Sequence, residues 1–148
     1  MGLRIKDLPL HAQELVKQQI GAAAAKRRGK FNVAAVPDRT YNGIVYASKA
    51  EMIRAQDLDG QVQAGLIRGY CRQVPFTLGV PENRYVADFL VFLNNNMVQV
   101  QEVKGVWTAK WKRDVNLWRR YGLCELVVFT REGGKWSFES IVPVGAPS

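Results

Sequence analysis

Asp88-Phe89-Leu90-Val91-Phe92-Leu93-Asn94-Asn95-Asn96-Met97-Val98-Gln99-Val100-Gln101-Glu102-Val103-Lys104 is the stretch on which the fold turns. Two runs rich in β-branched and aromatic residues flank three turn-formers, which predicts a β-hairpin. With Asn94 to Asn96 as the loop, Leu93 pairs with Met97. Counting back along both strands then sets Asp88 directly opposite Glu102. Like charges opposed across a strand pair destabilise a sheet, so this pairing asks for a cation between the two carboxylates. Side chains alternate faces with period 2, so Glu102 and Lys104 share a face about 7 Å apart while Val103 points the other way.

One face therefore carries Asp88, Glu102 and Lys104, a set suited to metal-assisted hydrolysis. Paired carboxylates hold a hard divalent ion, the ion makes water a better nucleophile at neutral pH, and the lysine positions or polarises that water beside a phosphate. The bland alternative is a surface hairpin with unpaired charges, or an exposed Glu102–Lys104 ion pair.

The whole chain narrows the chemistry. Its 148 residues suffice for one domain with a real core. A net charge of +8 favours a polyanionic partner, nucleic acid or an anionic membrane surface. Cys71 and Cys124 have neither metal nor redox spacing, as expected in a reducing compartment. With His11 the single histidine, Ser-His-Asp, Cys-His and zinc chemistry find no support. The absence of an apolar run of about 18 residues and of a signal-peptide core predicts a soluble, intracellular protein without a membrane partner.

Upstream of the hairpin, Pro9 to about Arg28 has helical composition and ends in Lys26-Arg27-Arg28-Gly29-Lys30. The first 30 residues hold seven Lys or Arg against two acids. They read as a basic helical arm over residues 1–30, either solvated or gripping a phosphate backbone. Phe31 to Arg39 reads as a linker. Tyr41-Asn42-Gly43-Ile44 is a two-residue hairpin signal. Ser48-Lys49-Ala50-Glu51 opens a helix running to about Gly60 or beyond. Glu51 is there either as the reciprocal half of a capping box with Ser48 or as a third carboxylate over the sheet. Ile67 to Val80 reads as a strand which Pro75 marks as an edge or a bulge, and Pro81-Glu82-Asn83 turns the chain into the Asp88 strand.

Downstream, the period becomes helical past Gly105. Trp107, Trp111, Val115 and Trp118 form one stripe, with Leu117 and Tyr121 beside it. Lys112, Arg113, Asn116, Arg119 and Arg120 fall on the opposite face. The tryptophans read as core and the basic face as solvated or as a nucleic-acid surface. Leu123 to Thr130 reads as a buried strand, Glu132-Gly133-Gly134 as a turn, Trp136 to Val142 as a final strand and Pro143 to Ser148 as a tail. A strand returning after a helical crossover is expected to pair parallel to the Glu102 strand.

Asp88, then Glu102-Val103-Lys104 on the next strand, preceded by a helix with Ser48-Lys49-Ala50-Glu51, resembles the PD-(D/E)XK nuclease superfamily. More narrowly, Tyr41 to Ile44, Ser48 to Glu51, Tyr85-Val86-Ala87-Asp88-Phe89 and Glu102-Val103-Lys104-Gly105 resemble small bacteriophage-encoded members related to Holliday-junction resolvases. The likeness covers roughly residues 30 to 142. It implies an α/β, restriction-endonuclease-like core in residues 31–148: a mixed central sheet flanked by helices, in the order α-βββ-α-ββ, with the N-terminal helix added. It also implies Asp88 and Glu102 as metal ligands, the Val103 carbonyl as a further ligand, Lys104 as the water-positioning residue and Glu51 as the helical acid. Ala87 stands where the nominal motif has proline, which removes no catalytic group.

The resulting expectation is a Mg²⁺- or Mn²⁺-dependent DNA endonuclease with no organic cofactor. It would act on branched or recombination DNA as a homodimer, in the cytoplasm of a bacterial host if phage-encoded. Two alternatives accompany it. One is a general or nicking endonuclease on duplex or single-stranded DNA; the other is a recombination accessory protein that binds DNA through Lys112, Arg113, Asn116, Arg119, Arg120 and the arm residues Lys26, Arg27, Arg28 and Lys30.

Overall fold

The structure, a computed structural model, describes residues 33–145. The expected helical arm, with Lys26, Arg27, Arg28 and Lys30, lies outside these residues, as does the end of the tail. The chain divides into two units, Met1–Lys49 and Ala50–Ser148.

In the first unit the Asn-Gly signal is realised. β1 (Thr40–Tyr41) and β2 (Ile44–Val45) pair with Tyr41 opposite Ile44. Asn42 and Gly43 adopt φ of 50° and 75°, the positive angles that a type I′ turn needs. The stretch expected as a linker is more ordered. Val36–Arg39 forms a 3₁₀ turn, and Arg39 is buried, its Nε donating to the Ala34 carbonyl at 3.1 Å and its Nη1 to the Tyr46 carbonyl. A buried guanidinium holding carbonyls has no periodic signature, so the sequence did not announce it.

The second unit is an α/β arrangement of two helices on a five-stranded mixed sheet. Its elements are α1 (Lys49–Gln63, whose first residue precedes the unit boundary), β3 (Ile67–Thr77), β4 (Arg84–Leu93), β5 (Val98–Val103), α2 (Ala109–Tyr121), β6 (Glu125–Glu132) and β7 (Lys135–Ile141). The sheet order is β3-β4-β5-β6-β7. Neighbours are antiparallel except β5 and β6, which are parallel across the α2 crossover as expected. β3 lies at the edge, where Pro75, lacking an N–H, is tolerated.

The decisive hairpin has the counted register. Phe92 pairs with Val98 and Phe89 with Gln101, and Leu93 N donates to the Met97 carbonyl at 2.9 Å. The three asparagines close the loop, Asn96 taking φ 65° and Asn95 Oδ1 accepting from Met97 N.

The helices cover opposite sheet faces. From α1, Arg54 donates to Gln101 Oε1 and lies over the Phe129 ring. From α2, Trp111, Val115 and Trp118 pack with Val100, Leu126, Val128 and Ile141. Gln101 and Val100 are strand neighbours and so face opposite ways. The inward residues of α1 are Glu51, Arg54, Ala55 and Leu58, two of them charged, which explains its weak apolar period. Several boundaries differ from expectation: β3 stops at Thr77 and not at Val80, β6 takes in Glu132, and two differences at α2 and β6 change which residues are buried. Thr108 caps α2 by accepting from Trp111 N at 3.1 Å, so Trp107 precedes the helix and is 38% exposed rather than in the core stripe. Leu123 is 76% exposed and outside β6: Gly122 ends the helix with its N–H on the Trp118 carbonyl, and two more residues pass before pairing starts.

Candidate active site

The paired ladder of β4 and β5 stops at Phe89 and Gln101. One step further the strands part, and carboxylates take over the backbone amides that open there. Asp88 N donates to Glu102 Oε2 at 3.1 Å, and Val103 N donates to Asp88 Oδ2 at 2.9 Å. Buried amides need partners, so each acid satisfies a donor that the parting strands expose. Asp88 and Glu102 are thus brought face to face, as the register requires, at a fork and not on a flat exposed hairpin.

Glu102 is 2% exposed. Its Oε2 also accepts from the Tyr85 hydroxyl at 2.6 Å, and its Oε1 meets Lys104 Nζ at 2.7 Å. The same ammonium lies 4.6 Å from the centre of the Trp111 ring, a cation–π contact that fixes its position. The Glu102–Lys104 pair therefore exists, but its acid is buried and not a surface ornament.

Glu51 projects from α1 and is 3% exposed. Gln73 Nε2 donates to its Oε1 at 3.3 Å and Arg72 Nη2 lies 3.9 Å from the same oxygen. Glu51 is close enough to act on Asp88. Burial first, then the charges of Glu102 and Glu51, push the Asp88 carboxyl up to about 8, against the opposing pull of the Val103 N–H and Lys104. The Tyr85 hydroxyl is likewise held protonated, by burial and then by Glu102. The negative charges of Glu102 and Glu51 thus bear on the Asp88 carboxyl, and the fork is a site of concentrated acid.

The donors suit a hard divalent ion. They are carboxylate oxygens, and Asp88 Oδ1 has no hydrogen-bond partner among the described residues. Among the described residues no three acidic, imidazole or thiol groups converge tightly on one point; Asp88 and Glu102 share the fork, and Glu51 is near enough to act on Asp88 through its charge. Val103 contributes its amide to Asp88, and its side chain faces away.

The basic residues of α2 lie where the period put them. Lys112, Arg113, Asn116, Arg119 and Arg120 are exposed on the side opposite Trp111 and Trp118. Lys112, Arg113, Asn116 and Arg120 line, with Asn83 and Tyr121, an open hollow of about 580 Å³. Arg113 Nη2 is held by Asn83 Oδ1 at 2.7 Å.

No known family profile matches the chain, and no curated protein does. Among solved structures the chain is similar to the crystal structure of SSO0001, with 12% identity and a TM-score of 0.33. That match covers 62% of this chain, and the chain spans about half the length of that structure, 48%.

Tyr85, Gln73 and Trp111 are site residues that sequence reasoning did not assign. The reason is a local change of face. Tyr70 and Arg72 reach the α1 side, through Asp59 and Glu51, whereas Phe76 packs on Trp118 of α2. In the paired strand Phe89 contacts Tyr70, whereas Tyr85 contacts Trp118. Strict alternation keeps residues of one parity on one face. Both strands therefore exchange faces between these points, where Gln73 has φ 52°. Tyr85, three residues before Asp88, would point away from it in a regular strand, so no periodic signal could have linked the two.

Proposed function

We propose that this protein is a Mg²⁺- or Mn²⁺-dependent DNA endonuclease of the PD-(D/E)XK type. The reading rests above all on the fork: Asp88 and Glu102 face each other at the parting of two strands with Lys104 on Glu102, in a chain of net charge +8. The element order α-βββ-α-ββ of the second unit supports a restriction-endonuclease-like core.

In this reading Asp88 and Glu102 hold the ion, joined by the Val103 carbonyl and, directly or through water, by Glu51. When bound, a hard divalent ion supplies charge neutralisation and Lewis acidity at a phosphodiester. Lys104 orients the attacking water and donates toward the phosphate. Trp111 restrains Lys104, Tyr85 orients Glu102, and the exposed cations of α2 contact the DNA backbone, with the basic arm as a second contact. Branched or recombination DNA is the proposed substrate. Paired nicks on opposed strands then require two copies of the site, hence a homodimer, acting in the cytoplasm, that of a bacterial host if the chain is phage-encoded.

A binding-only accessory protein is the second reading, favoured by the basic hollow on α2. The test incubates the purified protein with a four-way junction, linear duplex and supercoiled plasmid, in Mg²⁺, Mn²⁺ or EDTA, beside Asp88→Asn. Paired nicks on the junction, lost in EDTA and in the variant, are expected. Nicking of all three substrates would make it a general endonuclease. Binding without cleavage in any metal would leave the accessory reading.

A further inference from the structure

Arg72 and Gln73 are adjacent strand residues, yet both reach one carboxylate oxygen, Glu51 Oε1, at 3.9 and 3.3 Å. In regular β structure consecutive side chains point to opposite faces. The conflict is resolved by the backbone: Gln73 has φ 52° in the middle of β3, a left-handed conformation that costs free energy for any residue but glycine. Continuing the β3–β4 register places Gln73 opposite Asp88, between the pairs Arg72–Phe89 and Val74–Ala87. A strained, exposed, amide-bearing residue thus sits across from the central acid of the candidate site with its side chain on the helical acid.

We propose that Gln73 is a positioning residue for Glu51, its left-handed backbone serving to hold that carboxylate toward Asp88 and so to complete the metal-binding set. The inference rests on the endonuclease reading and adds to it a residue outside the motif. The chemistry of the donor matters. A neutral amide fixes the carboxylate by hydrogen bonding and adds no positive charge to that of Arg72, which lies 3.9 Å from the same oxygen. A second cationic side chain at that position, beside the Arg72 guanidinium, would compete with the ion. Strain of this kind persists where surrounding structure over-determines it, and here the pairs on both sides of Gln73 do so.

The test compares wild type, Gln73→Gly, Gln73→Asn and Asp88→Asn, titrating Mn²⁺ by electron paramagnetic resonance and recording melting curves in EDTA. Glycine accepts the positive φ without a side chain; asparagine also tolerates it but is one methylene too short to reach Glu51. Both variants should melt near or above wild type in EDTA, because the backbone conformation is eased. Both should bind Mn²⁺ about 10–100-fold more weakly, the usual effect of losing a residue that orients a ligand. Wild-type Mn²⁺ affinity in both variants would overturn the positioning role and leave the endonuclease reading standing. A large fall in melting temperature with unchanged affinity would make Gln73 a structural residue and also overturn it. Absence of Mn²⁺ binding by wild type would overturn both readings together.

Discussion

The Lys104 ammonium lies 2.7 Å from Glu102 Oε1, the oxygen of that carboxylate which neither the Tyr85 hydroxyl nor the Asp88 amide engages. In the endonuclease reading that oxygen is the one left for a metal ion, so the lysine and the ion would compete for it. Lys104→Ala should therefore leave Mn²⁺ affinity unchanged or improved while cleavage falls by about 100-fold or more. A titration and a single-turnover assay measure the two effects. Full activity in the variant would remove Lys104 from the mechanism.

Asp88 gives the metal-free protein a characteristic pH response. Its carboxyl is raised from 3.8 to about 8 by burial and by Glu102 and Glu51. Between those values the folded chain binds more protons at Asp88 than the unfolded one, so the stability this group contributes is fully present below about 4 and is lost as pH rises toward 8. Urea melts in EDTA should show that decline. Asp88→Asn removes the charge while keeping an acceptor for Val103 N, so it should flatten the curve and stabilise the apo protein at pH 8 by on the order of 2 kcal/mol. Saturating Mg²⁺ should flatten the wild-type curve as well. Stability that climbs from pH 5 to 8 in EDTA would contradict the geometry of the fork.

Tyr85 donates to Glu102 Oε2 at 2.6 Å from within the aromatic cluster with Trp111 and Trp118. Tyr85→Phe keeps the packing and deletes the donor. A hydrogen bond to a buried carboxylate contributes about 1.5–3 kcal/mol, so unfolding free energy should drop within that range, and Mn²⁺ affinity by about tenfold. An unchanged affinity would mean that the Asp88 amide and Lys104 suffice to orient Glu102.

The exposed cations of α2 are separable from the chemistry. Lys112→Ala with Arg120→Ala should weaken DNA binding in Ca²⁺ equally for junction and duplex, and should lower the slope of log affinity against log salt by about 2. The Mn²⁺ affinity of the carboxylates should not move. An unaltered salt slope would take this face out of the interface.

The hairpin was legible because its determinants are local: two apolar runs, a three-asparagine loop and period-2 alternation place Asp88 against Glu102 without reference to the rest of the chain. The Asn42-Gly43 turn, the inward Trp111, Val115 and Trp118, and the parallel return of β6 follow from equally short-range rules. Trp107 was misplaced because the 3.6-residue period holds on either side of a helix start, and only the Thr108 cap decides where the helix begins. Leu123 was misplaced because an apolar residue beside a strand looks like strand until the helix end is located.

From its sequence alone the chain specifies its element order, the strand register and the two acids that oppose each other, since these depend on periodicity, turn chemistry and counting. Tertiary structure alone decided that the opposed acids sit at a fork, that Tyr85 and Lys104 divide the oxygens of Glu102, and that Gln73 reaches Glu51. Those relationships arise where β3 and β4 exchange faces at a residue of φ 52°. A one-residue break in alternation moves every later side chain to the other face, and its position is set by packing against two helices rather than by any local preference of the chain.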